Sequence, residues 1–400
     1  MILKNIKMQN FRNYESLDVD FFSGVNIIYG KNAQGKTNLL ESIYVLGNTK
    51  SHRSFIDNNL IMKDRIQARI TGTIEKDNID TNYDIVLTEN NKNLAKKLFI
   101  DKQEIKKVSN YISNINIIIF YPEDLEIIKG SPNDKRKFLN SELSSLYNNY
   151  YRVLFDYNYL LKKRNECLKK MNINNLSEKI YFDKLTEHLI NKAIFLYRAR
   201  SKFVEKLNLY CGKIYKKIMK MDDFHVVYKP CIEINDFSTE YLTNKLKEEY
   251  KNNFEKEKIL GSTLVGPHRD DLEFYLGEKD VKFYCSQGQT RAAVIALKLS
   301  EIEIFKKQCK TMPILLLDDV FSELDMFKNN NLLKYIDNNI QTIITTTDLN
   351  NINDEIIKKS KIFEISKGSI KQKRRGGTNG KQRKAIWCFS HSSPWRPRSS

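Results

Sequence analysis

One short stretch constrains this chain more than any other. Gly30-Lys31-Asn32-Ala33-Gln34-Gly35-Lys36-Thr37 has the spacing G-x-x-x-x-G-K-[ST], the pattern of a loop that cradles phosphate. The residues on either side fit that pattern. Val25 to Tyr29 is a short apolar run suited to a buried strand, and Leu39, Leu40, Ile43 and Leu46 recur at helical spacing. Strand, glycine loop and helix thus follow in the required order. In such an arrangement the loop N–H groups and the helix N-terminus face phosphate oxygens, Lys36 reaches the β and γ phosphates, and the Thr37 hydroxyl ligates Mg²⁺. The alternative is a Gly-rich turn that binds nothing, and the flanking order weighs against it.

A chain of 400 residues with 41% hydrophobic content can build more than one packed unit. No run approaches the roughly 18 apolar residues of a membrane span. The N-terminus carries Lys4 and Lys7 and no apolar segment ahead of a small-residue cleavage site. The expectation is a soluble, cytoplasmic protein with no membrane partner. The 6 cysteines are scattered without a C-x-x-C pair, which argues against a zinc site or a disulfide framework.

Charge is uneven along the chain. Residues 371–400 carry nine Lys and Arg and no acidic residue, half of the formal +18. Both tryptophans lie there too, so the stretch reads as a basic disordered tail or as sequence foreign to the domain. The remaining body is still positive, which points to a polyanionic partner; surface lysines serving only solubility are the bland alternative.

Along the chain, Ile2 to Asn10 and Leu17 to Phe22 read as strands joined by Arg12-Asn13-Tyr14. Residues 65 to 105 alternate apolar and polar and predict further antiparallel strands. Asn116 to Tyr121 reads as a buried strand ended by Pro122, and Ser131-Pro132 as a helix cap followed by proline at the first helical position. From Leu139 through Leu143, Leu146, Tyr150, Leu154 and Tyr157 to Leu161 one apolar face continues at helical spacing. After a break at Asn172 to Asn175 the pattern resumes from Leu185 to Ile214, predicting an antiparallel helical hairpin of about 40 Å or more. Its polar faces carry Lys162, Lys163, Arg164, Lys169, Lys170, Arg198, Arg200 and Lys202, read here as solvated. The expected divisions are 1–130, 131–221 for the helical arm, 222–370, and the tail 371–400.

The second αβ region holds the partner of the glycine loop. Pro313 to Asp319 is an apolar strand ending in paired carboxylates, the form of a strand-end Asp that holds Mg²⁺ in P-loop NTPases. Ser286-Gln287-Gly288-Gln289 opens a helix from Thr290 to Lys307, which sets small residues at an anion-binding helix N-terminus. Ser322-Glu323-Leu324-Asp325 follows the carboxylates, and Thr342 to Thr347 reads as a further strand with Asp348 at its end.

In this order the residues resemble the ABC-type ATPase heads of the SMC class of chromosome-organising and repair proteins. They resemble more closely the RecF family of bacterial DNA replication and repair proteins. The resemblance is carried by Asn10 to Tyr14, Gly30 to Leu40, Ser51-His52-Arg53, Tyr121 to Leu125, Lys129 to Pro132, Gly266 to Leu272, Ser286 to Arg291 and Leu315 to Asp325. It spans residues 1 to about 370.

That resemblance implies an α/β fold, an ABC-type P-loop ATPase head with an antiparallel β subregion and an inserted antiparallel helical arm. It implies ATP and Mg²⁺ as cofactors and an ATP-dependent homodimer with two nucleotides between heads. The implied task lies at single-stranded and gapped duplex DNA with RecR and RecO, helping to load RecA. By position, Lys36 and Thr37 would grip phosphate and Mg²⁺, Asp318 would complete the metal site, and Asp319 would stand where related ATPases place a Glu base. Ser286 and Gly288 would meet the γ-phosphate of the partner subunit, and Asp325 would lie in the interface loop. No Gln occurs near Tyr121 to Asp124 to position water, and Thr347-Asp348 stands where a switch His is common, which together imply slow hydrolysis.

Two other classes are weighed against this one. A transporter ATPase would not need the long arm or the basic body. An architectural DNA-binding protein with a vestigial nucleotide site would keep the basic surface without needing Lys36, Thr37 and Asp318 together. His52, Arg53, His268 and Arg269 are the candidate DNA contacts, each equally suited to stabilising a loop.

Overall fold

The computed structural model describes residues 1–373 except 54–56, 91–92, 113, 171–174, 221–222, 324–331, 333–339 and 367. Asp325 and the tail from 374 onward therefore lie outside the described residues.

Period-two alternation builds the first sheet. In β1 (Ile2–Phe11) Leu3, Ile6, Met8 and Phe11 are buried, and β1 pairs antiparallel with β2 (Tyr14–Asp20). The continuous apolar run expected after it is β3 (Val25–Tyr29), followed by α1 (Lys36–Asn48). The alternating region forms β4 (Gln67–Lys76), β5 (Ile79–Asn90), β6 (Asn93–Ile100) and β7 (Gln103–Glu104). These join the hairpin in an antiparallel sheet of order β2-β1-β4-β5-β6-β7.

The second sheet, to which β3 belongs, has β8 (Ile117–Phe120) at one edge. After it come the short α2 (Glu126–Lys129) and α3 (Pro132–Leu146), with Ser131 as N-cap and Pro132 at the first helical position as expected. The single apolar face read from Leu139 to Leu161 is in fact two helices. Tyr147 is extended, at φ −128° and ψ 112°, and separates α3 from α4 (Asn148–Lys170). Its hydroxyl accepts from Lys206 Nζ at 3.2 Å and Gln308 Nε2 at 3.0 Å, so tertiary contacts hold a corner that periodicity alone reads through.

The arm is completed by α5 (Leu176–Met219), whose 44 residues span about 66 Å. It runs antiparallel to α4, as Asp156 meeting Lys192 and Arg164 meeting Thr186 show. Two cations of its polar faces depart from the solvated reading. Arg164 and Arg200 are each 1% exposed. Arg164 pairs with Glu257 at 2.7 Å and lies over the rings of Phe182 and Tyr250. A buried guanidinium needs this degree of pairing to offset its desolvation.

The remaining chain supplies β9 (Phe224–Lys229), α6 (Thr239–Leu260), β10 (Asp271–Leu276), β11 (Lys279–Asp280), α7 (Val281–Tyr284), α8 (Gln287–Cys309), β12 (Ile314–Asp318), α9 (Val320–Glu323), β13 (Thr342–Thr346), β14 (Lys361–Ser366) and β15 (Ser369–Lys373). Lys371, Gln372 and Lys373 thus belong to a sheet, not to the tail. The second sheet has the order β15-β14-β3-β13-β12-β8 and is parallel except for its terminal hairpin.

The parallel sheet is covered on both faces, which is why β8 and β12 read as unbroken apolar runs. Ile28, Ile314, Leu316 and Ile343 face α1 and the antiparallel sheet beyond it, whereas Ile27, Leu315, Leu317 and Ile344 face the helical layer. Gly72 in β4 permits the close approach of α1, since a Cβ there would lie 2.3 Å from Leu46 Cδ2. On the other face α8 is buried almost all round, so it shows no strong amphipathic stripe.

Candidate functional site

The glycine loop sits where β3 feeds α1 between the two sheets. Gly35 precedes the first helical residue at φ 109°, and a Cβ there would meet Asn13 Nδ2 at 2.7 Å and the Tyr14 hydroxyl at 2.8 Å. The turn Arg12-Asn13-Tyr14 is therefore a brace for the loop. Tyr14 donates its hydroxyl proton to Gly35 O at 2.9 Å, and Asn38 donates to Asn13 Oδ1 at 2.8 Å. From the far edge, Gly368 N–H donates to Gln34 O at 3.3 Å.

A buried carboxylate on α1 fixes the same turn. Glu41 is fully buried and accepts from Arg12 Nε at 2.8 Å, Arg12 Nη2 at 2.6 Å and Ser51 Oγ at 2.5 Å. Burial alone would raise its pKa; the Arg12 and Ser51 hydrogen bonds more than offset this and leave it lowered. Glu41 was not singled out from sequence. On the helical wheel it lies opposite Leu39, Ile43 and Leu46 and beside Thr37, Asn38 and Asn48, so periodicity gives no sign of its burial.

Lys36 Nζ donates to Gly30 O at 2.8 Å and Lys31 O at 3.0 Å, which curls the side chain over the loop. Burial lowers its pKa, with Asp319 and Asp318 opposing. Thr37 Oγ1 donates to Asp318 Oδ1 at 3.0 Å across a sequence separation of 281. Asp318 is 5% exposed, and burial raises its pKa against the hydrogen bonds of Thr345 and Thr37 and the charge of Arg53. A hydroxyl and a carboxylate oxygen at this spacing are the hard donors Mg²⁺ takes when phosphate and water complete its shell. Asp319 follows in the left-handed region at φ 51°, and its N–H donates to Thr345 Oγ1 at 3.0 Å.

The four candidate DNA contacts divide by burial. His52 is wedged between the rings of Tyr44 and Tyr121, at 5.1 and 4.8 Å, and burial pushes its pKa down to about 4. His268 Nε2 donates to Thr263 O at 3.0 Å, so Nδ1 is the acceptor for the Tyr157 hydroxyl at 2.6 Å. Burial pushes it to about 4 as well. Both rings are held neutral inside the protein. Arg53 and Arg269 are exposed. Arg53 donates to Asn38 Oδ1 at 3.3 Å and is close enough to Asp318 to lower its pKa, which sets it at the mouth of the phosphate loop.

The run Gly266 to Asp271 forms a clamp on the arm. Asp270 is fully buried, pairs with Arg200 Nη1 at 2.6 Å, and accepts from Tyr228 and from Cys231 N–H at 3.0 Å. Ser286 is exposed and caps α8, accepting from Gln289 N–H at 3.3 Å while its own N–H donates to Gln289 Oε1 at 2.9 Å. Beside it Phe283 and Tyr284 are 71% and 73% exposed.

The model of the RecF/RecN/SMC N-terminal domain family matches residues 2–371. The DNA replication and repair protein RecF of Bacillus cereus (strain AH820) is 38% identical over 375 residues, which cover 92% of this chain and 98% of that protein. The chain belongs to the RecF family. The RecF of Bacillus thuringiensis (strain Al Hakam) matches to the same extent, 38% over 375 residues, 92% of this chain and 98% of that one. Among solved structures, the recombination mediator protein RecF with ATP, of the RecFOR pathway, superposes with a TM-score of 0.84 at 31% identity, over 92% of this chain and 98% of that one. An Smc head bound to the C-terminal winged-helix domain of ScpA shares the fold, with a TM-score of 0.52 at 14% identity over 93% of this chain and 97% of that one. The chain thus has the RecF fold, an ABC-type ATPase head with a helical arm, as the sequence led us to expect. No helix among the described residues is long and apolar enough to cross a membrane.

Proposed function

We propose that this chain is a cytoplasmic, ATP-dependent DNA-binding protein of recombinational repair and replication restart. It dimerises on ATP, binds gapped DNA or single-strand/duplex junctions, and acts with RecR and RecO to help load RecA. The observation that carries the nucleotide part is the meeting of Lys36, Thr37 and Asp318 from opposite ends of the chain. The relatives' names support the repair part, and the positive body supports a polyanionic partner.

In this reading the loop N–H groups from Gly30 to Gly35 and the N-terminus of α1 receive the β and γ phosphates, and Lys36 turns from the loop carbonyls to phosphate. Thr37 and Asp318 would hold Mg²⁺, which when bound would neutralise charge on the phosphates. Asp319 orients the attacking water. Its side chain is one methylene shorter than the Glu usual at this place, and Asp348 stands where a His is common, so turnover is slow and serves as a switch. Ser286 and Gly288, at the exposed N-terminus of α8, contact the γ-phosphate held by a second copy, with Asp325 in the loop between them.

Sedimentation of the protein with and without ATP and gapped duplex tests nucleotide, dimer and DNA together. The expected result is a dimer only with ATP and a heavier complex only with DNA. A monomer under every condition would overturn the reading. DNA binding indifferent to ATP would favour an architectural protein with a vestigial nucleotide site.

A further inference from the structure

Thr345 is fully buried in β13, which lies between β3 and β12 in the parallel sheet. It pairs with Asp318 across the β12–β13 ladder and shares the face that α1 covers. Sequence alone gives no reason to single it out, because a β-branched residue in a buried strand is ordinary. Its hydroxyl is placed unusually, within hydrogen-bonding reach of both members of the carboxylate pair. Oγ1 lies 2.7 Å from Asp318 Oδ1, 3.0 Å from Asp319 N and 3.4 Å from Leu317 O.

A hydroxyl has one proton and two lone pairs. The amide of Asp319 can only donate, so a lone pair of Thr345 receives it. The carboxylate and the Leu317 carbonyl can only accept, and the shorter contact to the charged oxygen takes the proton. One side chain therefore anchors two residues in different ways. It fixes the rotation of the Asp318 carboxylate, whose Oδ1 also receives the Thr37 hydroxyl. It also receives the N–H of Asp319, whose backbone lies at φ 51°, a left-handed conformation uncommon for a non-glycine residue though more accessible to Asp than to most.

We infer that Thr345 is a positioning residue that gives the paired carboxylates separate roles, aiming Asp318 at the metal beside Thr37 and turning Asp319 out of the strand toward the reacting water. The inference rests on the proposed nucleotide reading. When Thr37 turns a lone pair to Mg²⁺, Thr345 remains as a proton donor to Asp318 Oδ1. Groups that orient a metal ligand from behind typically change metal affinity or activity about 10- to 100-fold when removed.

Thr345→Val keeps the shape and removes the hydroxyl, whereas Thr345→Ser keeps the hydroxyl and removes the methyl. The measurement is binding of a fluorescent ATP analogue as a function of Mg²⁺, with single-turnover hydrolysis and the exchange rate of the Asp319 amide proton alongside. With Thr345→Val, binding without Mg²⁺ stays at the wild-type level. The Mg²⁺ needed for half-maximal effect and the loss of turnover each reach about 10-fold or more, and the Asp319 amide exchanges faster. Thr345→Ser restores all three. Should Val not fold at this position, Thr345→Ala serves in its place, with the same expectations. Wild-type Mg²⁺ dependence in the Val or Ala variant, or a Ser variant as defective as Val, overturns the inference and leaves Thr345 as packing. If wild-type nucleotide binding ignores Mg²⁺ and Lys36→Met leaves it unchanged, the nucleotide reading itself fails and takes the inference with it.

Discussion

Removing the carboxylate of Asp270 should damage this protein more than removing any surface charge. Asp270 is fully buried and carries three donors: Arg200 at 2.6 Å, the Tyr228 hydroxyl, and Cys231 N–H at 3.0 Å. Arg200, 1% exposed, cannot discard its proton in response. After Asp270→Ala its hydrogen-bond acceptors among the described residues would all be neutral: Pro267 O at 2.5 Å, Asn140 Oδ1 at 3.1 Å and the Tyr150 hydroxyl at 3.2 Å. Stranding a buried charge in this way costs about 3–5 kcal/mol. Replacing both partners, Arg200→Met with Asp270→Leu, should cost less than either single change, because no charge is left behind. Urea unfolding followed by far-UV circular dichroism reads these differences. A loss below about 1 kcal/mol for Asp270→Ala, or a double variant as costly as the two singles added, would refute the buried-charge reasoning.

Three further outcomes are expected. Lys36→Met should abolish Mg²⁺–ATP binding while leaving the unfolding midpoint nearly in place, because the ammonium's hydrogen bonds among the described residues go to two loop carbonyls and not to the core; equal ATP affinity in both proteins would contradict this. Asp319→Asn should bind ATP, stop turnover and accumulate dimers, whereas Ser286→Arg should bind ATP and remain monomeric, as analytical ultracentrifugation would read. Wild-type turnover by Ser286→Arg would mean the site is complete in one chain. His52 and His268 have folded pKa values of about 4 against 6.5 unfolded, so the stability they allow is present above pH 6.5 and lost as pH falls toward 4. Each should contribute a fall of about 3 kcal/mol across that window, and His268→Gln should flatten the urea-midpoint profile there.

The sequence by itself determined the parts whose chemistry is local. A glycine loop must be followed by its helix, an apolar run between turn signals must be a strand, and alternation from 65 to 105 must be an antiparallel sheet, because each depends on backbone sterics and nearest-neighbour periodicity. The strand β3, the start of α3 at Pro132 and the strand β12 with its terminal carboxylates were all legible for that reason. Tertiary structure decided what depends on contacts distant in sequence. The corner at Tyr147 exists because residues 206 and 308 reach its hydroxyl. Arg164 and Arg200 look like any helix-surface cation until Glu257 and Asp270 arrive from beyond the arm to neutralise them. Histidines offered to DNA turn inward because aromatic and carbonyl partners enclose them. Thr345 becomes distinct from its neighbours only when strand pairing brings it beside Asp318. Periodicity reports which face of an element is apolar, but a charge or hydroxyl takes its role from the partner that desolvation obliges it to find, and that partner is chosen by the fold.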